Sequence, residues 1–296
     1  MNKNLKIIKN KFGYCEVEKK PSQAELGEFY SKKYYQESMG AYQNEYSADE
    51  IRYFDNKNQE KHFVIQKYLA STAKSFLDVG CGEGWTLKYF KRLGWTVTGL
   101  DFSDFGCRRH NPDCLENIVV GDFADSIQKF IHLNRQFDVI CLDNVLEHVT
   151  EPLKLLKQCR QLINPDGVLV VEVPNDFSVL QRYLLEKKYL ENEFWVVLPD
   201  HLSYFNKDGL NNLANAAGWE SAFVITEHPV DFNLLNENTN YYKDKSKGAS
   251  CHKARLEIDN LIHAISVEKA INYFHALAEL GLGRQIVAFL RPKETL

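Results

Sequence analysis

The run Phe76-Leu77-Asp78-Val79-Gly80-Cys81-Gly82-Glu83-Gly84 constrains this chain more than any other stretch. A short apolar strand breaks into glycines spaced G-x-G-x-G and leads into a helix predicted over Trp85 to Leu93. Glycines at a strand-to-helix turn let backbone approach a ligand closely, because no Cβ stands in the way. They also point the free N–H groups of the helix start at anything negatively charged. A small anionic ligand near residue 80 is therefore expected.

From Lys74 onward strand-like and helix-like segments alternate. Strands are predicted at Lys74–Val79, Trp95–Asp101, Asn117–Gly121, Phe137–Leu142 and Val168–Val173. Helices are predicted at Asp104–His110, Ala124–Leu133 and Pro152–Ile163, and Asn164-Pro165-Asp166-Gly167 reads as a turn. Repeated β-α units with continuous apolar strands imply a doubly wound, mainly parallel sheet covered on both faces. Such a sheet binds ligands at the carboxyl ends of its strands. Beyond Trp219 come a strand at Ser221–Thr226, a polar stretch at Asn236–Gly248, one long helical segment from about His252 to Leu280, and a last strand at Arg284–Leu290.

Two aromatic-rich flanks depart from this pattern. Residues 1–73 form an expected N-terminal cap with Tyr30, Tyr34, Tyr35, Tyr42, Tyr46 and Tyr53. Residues 176–206 carry Tyr183, Tyr189, Phe194, Trp195, Tyr204 and Phe205. Both read as lids over the open side of the sheet. The ligand-binding domain then spans 74–296, with a helical insertion at about 236–280. The formal charge of −4 argues against a nucleic-acid partner. Seven cysteines without a C-x-x-C pair look like reduced thiols. No stretch reaches the roughly 20 apolar residues of a membrane span, and a cytoplasmic monomer or homodimer is expected.

The type of ligand follows from two residues. Asp101 lies 19 residues after Gly82 at the end of the second strand, where an acid holds the hydroxyls of an adenosine ribose. A dinucleotide fingerprint starting at Gly80 would need Gly or Ala at position 85, and Trp85 stands there. Adenosine without a pyrophosphate is the expectation.

These residues resemble motif I of the class I S-adenosylmethionine-dependent methyltransferases. The resemblance continues in order through Asp101, Gly121-Asp122-Phe123, Cys141-Leu142-Asp143-Asn144-Val145-Leu146-Glu147-His148-Val149 and Asn164-Pro165-Asp166-Gly167. Further on, Pro199-Asp200-His201-Leu202-Ser203-Tyr204-Phe205, Ala217-Gly218-Trp219 and Gly281-Leu282-Gly283-Arg284 are similar to the branch holding ubiquinone-biosynthesis O-methyltransferases and bacterial sugar and surface-polysaccharide methyltransferases. The resemblance implies a Rossmann-like seven-stranded sheet whose last strand is antiparallel. It implies S-adenosylmethionine as methyl donor, held by Asp78, Gly80, Cys81, Gly82, Asp101, Phe102, Asp122, Phe123 and Asp143. N-capping of the helix that follows is the competing role for Asp122.

Methyl transfer to a hydroxyl is helped by a general base, and histidine titrates in the useful range. His201 and His148 fall in motif positions and are the catalytic expectations, with no metal required; Glu147 is the weaker one. The expected reaction is methylation of a small polar acceptor, a hydroxyl of a sugar, nucleotide-sugar or related capsule precursor. The competing readings are methylation of a quinone or phenol, an NAD(P)-linked oxidoreductase, and a non-catalytic binding domain.

Overall fold

The computed structural model describes residues 6–22, 25–26, 45–69 and 72–294. Among these described residues, ten strands fall into two sheets. The small one joins β1 (Ile7–Lys9), β2 (Cys15–Val17) and β8 (Ser203–Tyr204), all antiparallel. The large one contains β3 (Ser75–Val79), β4 (Thr96–Asp101), β5 (Ile118–Val120), β6 (Phe137–Asp143), β7 (Ile163–Pro174), β9 (Trp219–Ile225) and β10 (Gln285–Pro292), in the order β5-β4-β3-β6-β7-β10-β9. The first five are parallel, and β10 runs antiparallel to both of its neighbours. This is the expected Rossmann-like, doubly wound α/β sheet of seven strands.

Period-two alternation sends successive side chains to opposite faces. Leu77, Val79, Ile140, Leu142, Leu169 and Val171 enter one core beneath the helices Phe123–His132, Pro152–Leu162 and Lys207–Ala216. Phe76, Val97, Val139, Cys141, Val168, Val170 and Phe289 enter the other, closed by the helices Ala48–Ile65, Trp85–Arg92 and Val267–Glu279. Six of the seven cysteines are buried, five of them in these two cores. The strand order reverses between β3 and β6, and the crevice at their carboxyl ends is where an open α/β sheet takes its ligand.

Several elements differ from expectation. The presumed turn 164–167 lies within β7 as an irregularity: Phe137 pairs with Ile163 and Val139 with Val168, so extra residues bulge outward. The expected single helix from 252 to 280 is two, Gly248–Ile265 and Val267–Glu279. Ser266 breaks it by adopting an extended conformation, and its side chain caps the second helix at the Lys269 N–H. The N-terminal region contributes more than a cap. Its helix Ala48–Ile65, started by a Ser47–Glu50 capping box, buries Val64 and Ile65 against the sheet. Of the N-terminal tyrosines, Tyr30, Tyr34, Tyr35 and Tyr42 lie outside the described residues.

Candidate functional site

The glycine loop joins β3 to the helix Trp85–Arg92 through three residues with positive φ: Gly80 at +74°, Gly82 at +50° and Gly84 at +77°. Only glycine takes such angles without strain. A Cβ on Gly80 would stand 2.5 Å from Val145 Cγ2, and one on Gly84 would stand 2.9 Å from Cys107 Sγ. The loop is therefore drawn tight. The Gly80 and Cys81 N–H groups donate to the Leu100 carbonyl at 2.7 and 3.1 Å. Cys81 turns its thiol into the core beside Gly99, so this residue borders the crevice with backbone.

Asp101 closes β4 beside the loop. One carboxylate oxygen accepts from the Gly82 N–H at 2.8 Å and the other from the Ser103 N–H at 3.1 Å. Burial pushes its pKa up against these hydrogen bonds. Each oxygen retains acceptor capacity for a ligand hydroxyl. Phe102 and Phe123 follow, their rings edge to face at 5.7 Å. Asp122 caps the helix Phe123–His132 by accepting from the Ala124 N–H at 2.8 Å, the competing role weighed for it.

Sheet alternation places Asp78, Asp143 and Glu172 on one face at the strand ends. From the helix above, Lys61 donates to Asp143 at 2.6 Å and pairs with Glu172 at 2.8 Å. Asp143 is thus occupied by protein on one side, and its other oxygen accepts from the Asn144 amide at 2.8 Å. Asp78 is 2% exposed, and one of its oxygens has no hydrogen-bond partner among the described residues. Burial holds its pKa well above the usual carboxylate range; Asp143 adds to this and Lys61 opposes it. A buried acid with an orphaned oxygen beneath a glycine loop is what a ligand's ammonium group would satisfy.

Glu83, within the loop, is buried among rings. It accepts from Tyr46 Oη at 2.9 Å and from Trp85 Nε1 at 2.7 Å, with His110 Nε2 3.6 Å away. Trp85, the residue that argues against a pyrophosphate, thereby helps hold the N-terminal segment over the loop.

On the other side of the crevice, beyond β6, the structure brings His148 and His201 together, ring centroids 4.8 Å apart. His148 Nδ1 lies 2.8 Å from the Asp200 carbonyl, which only accepts, so neutral His148 carries its proton there and keeps its lone pair on Nε2. Glu147 Oε1 lies 3.8 Å from that Nε2. Neither Glu147 oxygen has a hydrogen-bond partner among the described residues, and burial pushes its pKa well up. The Glu147 carbonyl accepts from the Leu202 and Ser203 N–H groups at 2.8 and 3.1 Å, which fixes that segment to the strand end. One donor atom from each of Glu147, His148 and His201 falls within 4.8 Å of the others, so these three could also hold a metal ion.

A family model described as a methyltransferase domain matches residues 42–222, more than half of the chain. The chain belongs to the methyltransferase-domain family. The protein is 33% identical over 129 residues to the ubiquinone biosynthesis O-methyltransferase of Actinobacillus pleuropneumoniae serotype 5b, covering 42% of this chain and 54% of that one. It is 25% identical over 186 residues to the enzyme of the same name from Coxiella burnetii, covering 60% and 79%. The chain spans about half the length of the first of these curated relatives. In fold it resembles a SAM-dependent methyltransferase from Archaeoglobus fulgidus, with a TM-score of 0.51 at 15% identity, covering 90% of this chain and 99% of that one. The methyl donor of such domains, S-adenosylmethionine, fits the residues present. The orphaned Asp78 oxygen suits an ammonium group, the glycine cradle excludes any larger side chain, and Asp101 and the Phe102–Phe123 pair suit an adenosine.

Sequence reasoning missed Lys61 and Glu83. Lys61 sits in a helix rich in charged residues, where nothing local marks it as buried. Glu83 stood inside the recognised motif, and its proximity to Trp85 was the available signal.

Proposed function

We propose that this protein transfers a methyl group from S-adenosylmethionine to a hydroxyl of a small polar acceptor, a sugar, nucleotide-sugar or related surface-polysaccharide precursor. The observation that supports the reading is that the glycine loop and the His148–His201 pair follow the carboxyl ends of the adjacent parallel strands β3 and β6. Held in that cradle by Asp78, Asp101 and the loop backbone, S-adenosylmethionine would supply an electrophilic methyl group. The protein then holds the two reactants at attack distance and excludes water. His148 Nε2 would take up the proton of the acceptor hydroxyl as that oxygen is methylated. The hydrogen bond from Nδ1 to the Asp200 carbonyl sets the tautomer in which that nitrogen is the acceptor. His201 lines the same space from the lid. The products are a methyl ether and S-adenosylhomocysteine.

The names of the curated relatives favour a second reading, in which the acceptor is a quinol or phenol. Release of S-adenosylhomocysteine, measured across nucleotide-sugars, free hexosides and catechols, separates the two. Turnover of sugars supports the first reading. Turnover of catechols with none of sugars overturns it in favour of the second. The solution state, monomer or homodimer, and the cytoplasmic location belong to the same proposal. No described helix is long and apolar enough to cross a membrane.

A further inference from the structure

Past the histidine pair, the carboxyl end of β7 and the start of β10 form a second group of polar side chains that the methyl-donor site does not use. Asp176 follows β7 and is 1% exposed, yet neither carboxylate oxygen has a hydrogen-bond partner among the described residues. Arg284 precedes β10, and its Nη1 is also buried without one. That nitrogen lies 3.7 Å from Asp176 Oδ1 and 3.9 Å from Asp231 Oδ2, beyond direct hydrogen bonding to either. The backbone fixes this spacing. The Asn175 N–H donates to the Arg284 carbonyl at 2.9 Å, and the Asp176 N–H donates to the Phe205 carbonyl at 2.7 Å. Asp231 is itself held by the Tyr241 hydroxyl, and the guanidinium sits over the Phe194 ring at 5.7 Å. Trp195 Nε1 and Gln181 Nε2 nearby are buried and also lack a partner among the described residues. The Gln181 amide lies close enough to Asp176 to lower its pKa against the effect of burial.

Leaving a buried carboxylate and a buried guanidinium nitrogen just out of reach of each other is costly unless a third group bridges them. An ionised carboxylate only accepts and a guanidinium only donates. The bridging group must therefore both donate and accept. A hydroxyl, of a sugar or of a phenol, does so; an ammonium cannot accept from Arg284, and a carbonyl cannot donate to Asp176. Two oxygens on Asp176 beside one arginine nitrogen suit two neighbouring hydroxyls.

We propose that Asp176 and Arg284 form a clamp for a vicinal diol of the acceptor, with Asp231 and Tyr241 positioning the arginine. This deepens the sugar reading above and rests on it. In the bound state one acceptor hydroxyl donates to Asp176 while its oxygen accepts from Arg284 Nη1, and its neighbour donates to the second Asp176 oxygen. The hydroxyl that is methylated lies elsewhere on the ring, toward His148.

The test compares the wild type with Asp176→Asn and Arg284→Lys. UDP-glucose, UDP-galactose, GDP-mannose and the corresponding methyl hexosides serve as acceptors, each beside analogues lacking one ring hydroxyl. Stabilisation by S-adenosylhomocysteine in a thermal shift confirms that each variant is folded and keeps its donor site. The clamp predicts at least a tenfold rise in acceptor KM for both variants, with kcat changed far less. It also predicts that removing either clamped hydroxyl weakens the wild type but scarcely affects Asp176→Asn. If sugars are methylated and both variants keep wild-type KM, the two side chains are only a water-bridged structural pair and the clamp is wrong, while the sugar reading stands. If no sugar binds or turns over and a catechol does, both are wrong.

Discussion

Lys61 offers the sharpest test of the charge arrangement under the crevice. Its ammonium is the cation shared by Asp143 and Glu172, whose β-strands pair in register, and its side chain is only 6% exposed. Lys61→Met keeps the length and apolar stem but leaves two carboxylates side by side. Removing one partner from a buried ion cluster costs about 3–5 kcal/mol. The loss depends on pH in a definite direction. Burial, then Asp143, raises the Glu172 pKa, and Lys61 opposes both; without Lys61 it rises further. A folded-state pKa raised above the unfolded value gives stability that is complete below the unfolded pKa and lost as pH climbs through the folded one. The variant's deficit should therefore be largest near about pH 8 and shrink toward about pH 6, as Glu172 takes up a proton. Urea unfolding followed by far-ultraviolet circular dichroism at both pH values measures it. Adding Glu172→Gln to Lys61→Met should recover more than half of the deficit at the higher pH. A deficit under about 1 kcal/mol, a deficit independent of pH, or no recovery in the double variant would refute the reasoning.

Further outcomes follow from the same geometry. Gly80→Ala forces a Cβ into Val145 at a left-handed φ, so it should destabilise the fold by about 2–4 kcal/mol and abolish S-adenosylhomocysteine binding by calorimetry. His148→Ala should lower kcat by about 10²–10⁴-fold with S-adenosylhomocysteine affinity unchanged; an equal loss of that affinity would place the histidine in the donor site instead. Burial pushes Asp176 up to about 7, so the stability it contributes is full below about pH 4 and disappears as pH rises toward neutrality. Asp176→Asn should flatten urea midpoints across that window. Ser266→Ala removes the cap between the last two helices and should cost about 1 kcal/mol by urea unfolding.

What the sequence made legible was local. Glycine spacing, strand-end acids and apolar alternation each act over a few residues, and they placed the cradle, Asp101 and the seven-stranded sheet. The two histidines were legible one at a time, but their meeting depends on the backbone bonds from Leu202 and Ser203 to Glu147, which no periodicity encodes. Lys61 and Asp176 escaped notice, and Arg284 was marked only as part of a motif, for a related reason. A charged residue reads as solvated until the fold brings a distant segment over it, and here the partners lie 82 residues away for Lys61 and 108 for Arg284. The break at Ser266 was readable in principle, since a serine before a helix is a cap signal, but the apolar pattern on both sides masked it.

The backbone bonds from Leu202 and Ser203 to the Glu147 carbonyl carry a consequence for exchange between relatives. They are the seam between the segment that follows β7 and the end of β6 beside the glycine loop, and they involve no side chain. A foreign stretch grafted between β7 and the seam would inherit the alignment with His148 whatever its own sequence, provided its last residues reach Glu147 in extended form. Acceptor preference could then be transplanted as a cassette, with the donor half left untouched.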